Sequence, residues 1–260
     1  MLFPQIRTQG VLQEAAARQV SVSRSGNRLH DGSRIQGAKV RPLVRCWRLR
    51  YAGLTAEEAE ALRHLVVESR SAAGGFVFID PWANMLARSE DLTDGVWQPS
   101  ALCEVSRENA LDEGIAVHSV RSLSGVAERI EQVVALGGAG TFCLSCDVRS
   151  ETAAVGAVRL QGGSQVFSRT FAAGPAWRSV WVTGEFSSAC AELLVSIEVG
   201  GGSVVMVRGV ELDYQGTPCP YKPSHGAGGV YPDARVVEEE FIQTLRGQDW
   251  IDCQLEVRVD

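Results

Sequence analysis

Residues Asn84 to Trp97 read NMLARSEDLTDGVW. They follow directly on GFVFIDP at 75–81, a compact apolar run closed by a proline, which reads as a short buried strand at the end of a unit. An asparagine, an apolar pair, a Ser-Glu-Asp turn and an isolated tryptophan then restart the chain. The fold depends on what this restart opens.

Downstream of it the chain alternates apolar and polar residues in nine short segments: ALCEVSRE, GIAVHSVRS, ERIEQVVAL, GTFCLSCDVRS, VGAVRLQ, QVFSRTFA, WRSVWVTGEF, ELLVSIEV and SVVMVRGVELDY. Period-2 alternation places one face of each strand in a core. GGAG, GGS, AAGP and GGGS separate several of them and read as turns. An antiparallel sandwich with jelly-roll-like wiring is predicted. A Gly-, Pro- and Ser-rich loop, QGTPCPYKPSHGAGG, follows, and ARVVEEEFIQTLRGQDWIDCQLEVRV predicts two further strands.

Upstream, residues 19–49 predict a strand, a loop with an Asp-Gly turn, and a second strand. TAEEAEALRHLVVES then predicts a short helix. Thr55 with Glu58 forms a capping box, and Ala59, Leu62, Leu65 and Val66 share one face.

At 260 residues the chain is long enough for two cores. Its composition, 45% hydrophobic and 22% charged with 27 glycines, is that of a folded, turn-rich globular protein. The net charge of −6 hides an asymmetry, because residues 1–51 carry ten Lys/Arg against two Asp/Glu. From Arg235 onward there are seven acidic residues against three basic ones. Opposite charge at the two ends, with a linker at each junction, favours one domain built from both ends and a second inserted between them. The expected division is a platform of residues 1–83 with 228–260, and an inserted sandwich of 84–227. The expected class is all-β: a small barrel or split-barrel-like platform with one short helix, plus a jelly-roll sandwich.

Chemistry is hard to find. The opening MLFPQIRTQG lacks a secretory pattern and no run of apolar residues could span a bilayer, so synthesis in the cytoplasm and no membrane partner are expected. Seven irregularly spaced cysteines suit reduced thiols. Cys143 and Cys146 form a CxxC, but inside a strand they point to opposite faces, and none of the four histidines has a second ligand at metal spacing. No GxSxG elbow or phosphate-cradling loop occurs. No metal, cofactor or enzymatic activity is expected, and a depolymerase would have to rest on Glu90, Asp91 or Asp213. In RCWRLRY the alternation puts Arg48 and Arg50 on one face and Trp47, Leu49 and Tyr51 on the other, so the aromatic side reads as core rather than a nucleic-acid platform. Trp177 and Trp181, four apart, share a face under strict alternation, and core packing outweighs a glycan platform.

NMLARSEDLTDGVW resembles the start of a jelly-roll domain, similar to carbohydrate-binding modules, found in bacteriophage tail and virion proteins. VMVRGVELDYQGTPCPYKP resembles the closing strand and Thr-Pro-x-x-Tyr exit of the same domains. The likeness covers about Asn84 to Pro223. FPQI, CWRLRYAGLTAEEAEALRHL and GFVFIDP resemble the N-terminal domain of distal tail and minor tail proteins of long-tailed phages. This resemblance implies a structural virion protein: a ring subunit, commonly one of six, joining the tail tube to the baseplate hub, with the tape-measure protein as a further neighbour. The alternative it implies is a host-recognition module binding surface polysaccharide, for which no contact residues can be named. The segment from Arg18 to Lys39 would be an arm ordered on assembly, with Arg18, Arg24, Arg28, Arg34 and Lys39 as its contacts.

Overall fold

A computed structural model describes residues 1–6, 17–21, 26–28, 30, 34–36, 43–71, 75–237, 241–246 and 250–259. The structure is all-β with one helix among the described residues. It divides into two compact units: Met1–Gln5 with Ile79–Val230, and Ile6–Phe78 with Tyr231–Asp260.

In the second of these units the chain forms β1 (Ala17–Ser21), β2 (Gly26–Arg28), β3 (Arg34–Gln36), β4 (Val44–Leu54), α1 (Ala56–Ser71) and β5 (Phe76–Ile79). The sandwich strands follow: β6 (Gln98–Pro99), β7 (Cys103–Asp112), β8 (Ile115–Ser122), β9 (Glu128–Arg149), β10 (Ala154–Gly162), β11 (Gln165–Ala173), β12 (Arg178–Val199) and β13 (Val204–Asp213). The chain then adds β14 (Val230–Val236), β15 (Gln243–Arg246) and β16 (Trp250–Val259). The acidic C-terminal section thus holds three strands where two are expected from its pattern, because Gln243–Arg246 folds back as a short hairpin partner of β16.

The end-built unit carries a sheet in the order β1-β4-β16-β14-β5, with β15 also on β16. Strands from opposite ends of the chain are direct neighbours: Leu255 faces Leu49, and Glu256 faces Arg48 and accepts from its Nε at 2.9 Å. Alternation along β4 buries Trp47, Leu49 and Tyr51, while Arg48 and Arg50 stay exposed. The Trp47 ring lies 4.9 Å from that of Phe78 and 5.1 Å from that of Tyr231. The helix starts on the Thr55–Glu58 box, with Thr55 N donating to Glu58 Oε2 and Glu58 N to Thr55 Oγ1. It buries Ala59, Leu62, Leu65 and Val66.

The sandwich unit is one hydrogen-bonded network, β11-β10-β12-β9-β13-β8-β7, with β6 on β9. Here β9 and β12 are 22 residues each, far longer than an ordinary strand. Each merges two of the expected segments, so GGAG at 137–140 lies inside β9 and is not a turn between strands. The reason is packing: a Cβ on Gly138 would sit 2.3 Å from Leu2 Cβ, and one on Gly140 would sit 2.5 Å from the Tyr214 ring. The β9–β12 ladder slips register opposite these glycines, between Phe186 and Glu192. That slip splits the network. One half holds β11, β10, the end of β12 and the start of β9, and the other holds the start of β12, the end of β9, β13, β8 and β7. Their inner faces supply the core, including Phe142, Leu144, Val148, Phe186, Leu193, Val195, Ile197, Val205 and Val207.

Met1–Gln5, expected in the platform, belong instead to the sandwich unit. The Gln5 side-chain amide donates to Thr141 O at 2.9 Å and Tyr214 O at 2.8 Å and accepts from Thr141 N at 3.0 Å, a strand-like bridge made by a side chain. No helix among the described residues is long and apolar enough to cross a membrane.

Candidate functional site

The opening motif turns out to be a fastener. Asn84 is fully buried; its Nδ2 donates to Val210 O at 2.7 Å and its Oδ1 accepts from Leu86 N at 3.0 Å and Leu212 N at 3.1 Å. Trp97 is buried and donates from Nε1 to Arg88 O at 3.2 Å. Glu90 accepts from the Tyr221 hydroxyl, and Asp91 closes its own turn on Thr93 N. The phenol of Tyr221 is pushed far up in pKa by burial and then by the Glu90 carboxylate. These residues tie the entry of the sandwich to its exit.

A cleft does form on the outer face of the half built from β12, β9 and β13. Its origin is a bulge in β13: Arg208 faces Asp147, yet Glu211, three residues on, faces Ser145, with Gly209 at φ +60° absorbing the extra residue. Before the bulge Val205 and Val207 point inward; after it Val210 and Leu212 do, so Arg208, Glu211 and Asp213 all point outward. The exit segment then folds back over them. Lys222 N donates to Glu211 Oε2 at 2.8 Å, Cys219 N donates to Asp213 Oδ2 at 3.1 Å, and Thr183 Oγ1 donates to Gly216 O at 2.9 Å. Between this roof and the sheet lies a cleft of about 320 Å³, lined by Ser145, Asp147, Ser179, Trp181, Glu211 and Tyr221 among others.

Two charge clusters border it. Lys222 Nζ stands 2.7 Å from Asp213 Oδ1 and 2.9 Å from Glu211 Oε1, pairing both carboxylates. Glu211 is only 1% exposed, and burial pushes its carboxyl above the ordinary range, with Lys222 pulling the other way. Burial also opposes the Lys222 ammonium, but Asp213 and Glu211 more than offset it and raise its pKa. In the other cluster the buried Arg208 guanidinium meets Asp112 at 3.2 Å, Glu113 at 2.9 Å and Asp147 at 3.2 Å, and stacks 4.5 Å from the Trp177 ring.

Neither Trp177 nor Trp181 is in the core, contrary to the sequence expectation. Trp177 precedes β12, donates to Asp112 Oδ2, and also carries Arg149 at 4.7 Å. Trp181 lies on the outer face of β12 between the inward Val180 and Val182, 37% exposed, with the Arg169 guanidinium 4.4 Å over its ring. Cys143 and Cys146 are both buried, on opposite faces of β9, and all seven cysteines are free. No group of metal-ligating residues occurs among the described residues.

Of the residues singled out as assembly contacts, Arg18 is exposed on β1 opposite Trp47 in the ladder, and Arg28 faces Arg34 across the β2–β3 hairpin. Arg24 and Lys39 fall outside the described residues. Glu211 and Lys222 were not legible as a site, because only the bulge brings Glu211 outward.

No protein-family model matches the chain, and no curated protein matches it. Among solved structures, the xylan-binding CBM22-1 domain of Paenibacillus barcinonensis Xyn10C is similar at 12% identity and TM-score 0.43, over 56% of this chain and 100% of that one. The family 11 carbohydrate-binding module of Clostridium thermocellum, in complex with a mixed-linked tetrasaccharide, is similar at 11% identity and TM-score 0.36, over 55% of this chain and 98% of that one. The enzymatically active domain of bacteriophage CBA120 tailspike protein 4 is similar at 11% identity and TM-score 0.41, over 53% of this chain. The match spans only 22% of that tailspike chain.

Proposed function

We propose that the sandwich is a glycan-binding module whose site is the cleft lined by Trp181 and Glu211. The observation that carries this reading is the pairing of a partly exposed indole, Trp181, with a half-roofed, hydrogen-bonding trough. An aromatic face takes the apolar C–H side of a sugar ring, and Ser145, Ser179 and Asp147 offer partners for its hydroxyls. The whole chain, titrated with soluble oligosaccharides and extracts of cell-surface polysaccharide, binds at least one class, and Trp181→Ala weakens that binding without unfolding the protein. Retention of full affinity by Trp181→Ala would reject this cleft as the site.

A second reading is a structural subunit of a tailed-phage particle, a distal tail or baseplate ring connecting tail tube, hub and tape-measure protein, with the sandwich as its decoration. It is supported by the sheet that strands from both chain ends share and by β1, which is exposed and, among the described residues, lies at that sheet's edge, where main-chain groups could meet a neighbouring copy. Electron microscopy of purified particles tests it: a ring of this chain at the tail tip is expected, and its absence from the particle rejects the reading. Both readings hold together if a particle protein carries a glycan-binding module.

A further inference from the structure

The sandwich carries an apolar tip at the end where β7, β9, β10 and β13 begin and β8 and β12 finish. Four aliphatic side chains stand out there: Leu102 at 49% exposure, Leu123 at 55%, Val126 at 67% and Val155 at 62%. The segments that bear them adjoin. Leu123 N donates to Leu102 O at 2.9 Å, Gly202 N to Ser124 O at 2.8 Å and Gly200 N to Val155 O at 2.8 Å, and a Cβ on Gly201 would sit 2.3 Å from Gly125 O. These are one set of interlocked loops, not scattered surface positions.

Ordinary surface loops leave their backbone polar groups to water. Here the polar groups turn inward. Ser122 Oγ donates to Ser124 O at 3.1 Å and Val126 O at 2.9 Å, Ser124 Oγ to Glu128 Oε1 at 2.8 Å, and Ser100 Oγ to Glu128 Oε2 at 2.5 Å. Main-chain donors are closed in the same way, Ser122 N on Ser203 O at 3.0 Å, Ser203 N on Gly200 O at 3.0 Å and Val126 N on Ser124 Oγ at 3.2 Å. Residues 99–103, 122–127, 152–157 and 200–205 include no charged side chain, in a chain that is 22% charged. The bordering ions balance: Arg121 with Glu104 at 3.9 Å, Arg129 with Glu131 at 2.6 Å, Arg159 with Glu198 at 3.1 Å, and Arg149 and Arg178 against Glu128 and Glu151.

That combination selects the partner. A protein interface is read through about one hydrogen bond per 100–200 Å², and these loops spend their hydroxyls on themselves. An apolar phase makes the opposite demand, that backbone groups be satisfied internally. We propose that this tip inserts into the surface of a lipid bilayer, seating the sandwich on a membrane without spanning it. The contact goes beyond the glycan-binding reading, since none of its four side chains lines the cleft. It departs from the expectation of no membrane partner, which followed only from the lack of a spanning run. With its border ions matched, the tip reads acyl chains and not anionic headgroups.

Flotation of the whole chain with vesicles of phosphatidylcholine, and of phosphatidylcholine with roughly a third phosphatidylglycerol, tests this. Reversible binding to both alike is expected, unchanged in about 0.5 M NaCl. Leu123→Asp combined with Val126→Asp lowers the bound fraction about tenfold. Val126→Ser alone lowers it severalfold and decides the matter if melting shows the double variant to be unstable. Val166→Asp, at a position 50% exposed beside the β10–β11 turn and so at the opposite end of that strand pair from Val155, leaves binding unchanged. Failure to float with either vesicle overturns the proposal, as does binding that the tip changes leave intact, or binding confined to anionic vesicles and lost in salt. Self-association in sedimentation without lipid, abolished by the same changes, also overturns it, since the tip would then meet a second copy of this chain.

Discussion

Ser89 and Ser224, 135 positions apart, exchange hydrogen bonds reciprocally: Ser89 N donates to Ser224 Oγ at 2.9 Å, and Ser224 N donates to Ser89 Oγ at 3.0 Å. Ser224 Oγ also donates to Leu86 O at 2.6 Å, and Tyr221 Oη lies 3.0 Å from Ser89 Oγ. Short polar residues that look like turn chemistry in sequence act here as long-range ties. Their role explains why the stretch after Pro81 restarts so abruptly.

Asn84 is the most stringent of these ties, since its amide serves three buried backbone groups. Asn84→Ala leaves Leu212 N and Val210 O without their side-chain partner and is expected to cost about 2–4 kcal/mol, read from urea unfolding of the whole chain. Asn84→Asp, which keeps the acceptor but loses the Nδ2 donor and buries a charge, is expected to destabilise as well.

Arg208 neutralises three carboxylates from within the sheet. Arg208→Met leaves Asp112, Glu113 and Asp147 repelling one another and is expected to cost about 3–5 kcal/mol at neutral pH. Urea unfolding of the whole chain measures this cost, and Arg208→Lys, which keeps the charge but loses the planar fork, is expected to recover part of it. A cost below about 1 kcal/mol would show that the three ion pairs contribute little.

Glu211 gives stability a dependence opposite to that of an ordinary carboxylate. Its folded pKa is raised above the unfolded value of 4.5, mainly by burial. The folded state therefore holds this proton to higher pH, and the group's contribution is full below about pH 4.5 and is lost as the pH rises through the folded value. Thermal melts of wild type and Glu211→Gln between pH 4.5 and 8 should show a decline with pH in the former that is flatter in the latter.

His118 works from the acid side. It is 1% exposed, and its Nε2 accepts from Leu92 N at 3.2 Å, which only an unprotonated Nε2 can do. Burial depresses its pKa below the ordinary 6.5, while Asp91, 3.9 Å away, opposes the shift. Between the folded value and about 6.5 the unfolded chain binds the extra proton, so stability falls as the pH drops through that window, by at most about 1.4 kcal/mol per pH unit. His118→Gln is expected to remove that slope in denaturant titrations.

Strand character, the helix with its capping box and the inward face of β4 were all legible, because each follows from local periodicity. The long strands were not, since glycines at 137–140 carry the ordinary signature of a turn and only Leu2 and Tyr214, distant in sequence, reveal their packing role. The cleft escaped for a related reason. A single extra residue at Gly209 reverses the parity of β13, and strict alternation then assigns Glu211 and Asp213 to the wrong side. Trp181 shows a milder case: aromatic residues are expected inside, and its outward face depends on register alone.

The chain leaves through β5 and returns through β14, neighbours in one sheet, and beyond them Asp80 N donates to Gly229 O at 2.8 Å while Gly229 N donates to Asn84 O at 2.7 Å. Departure and return are thus a single paired doorway of backbone. A module attached in this way behaves as a cassette: evolution can lengthen, shrink or exchange it without asking the host sheet to move a strand.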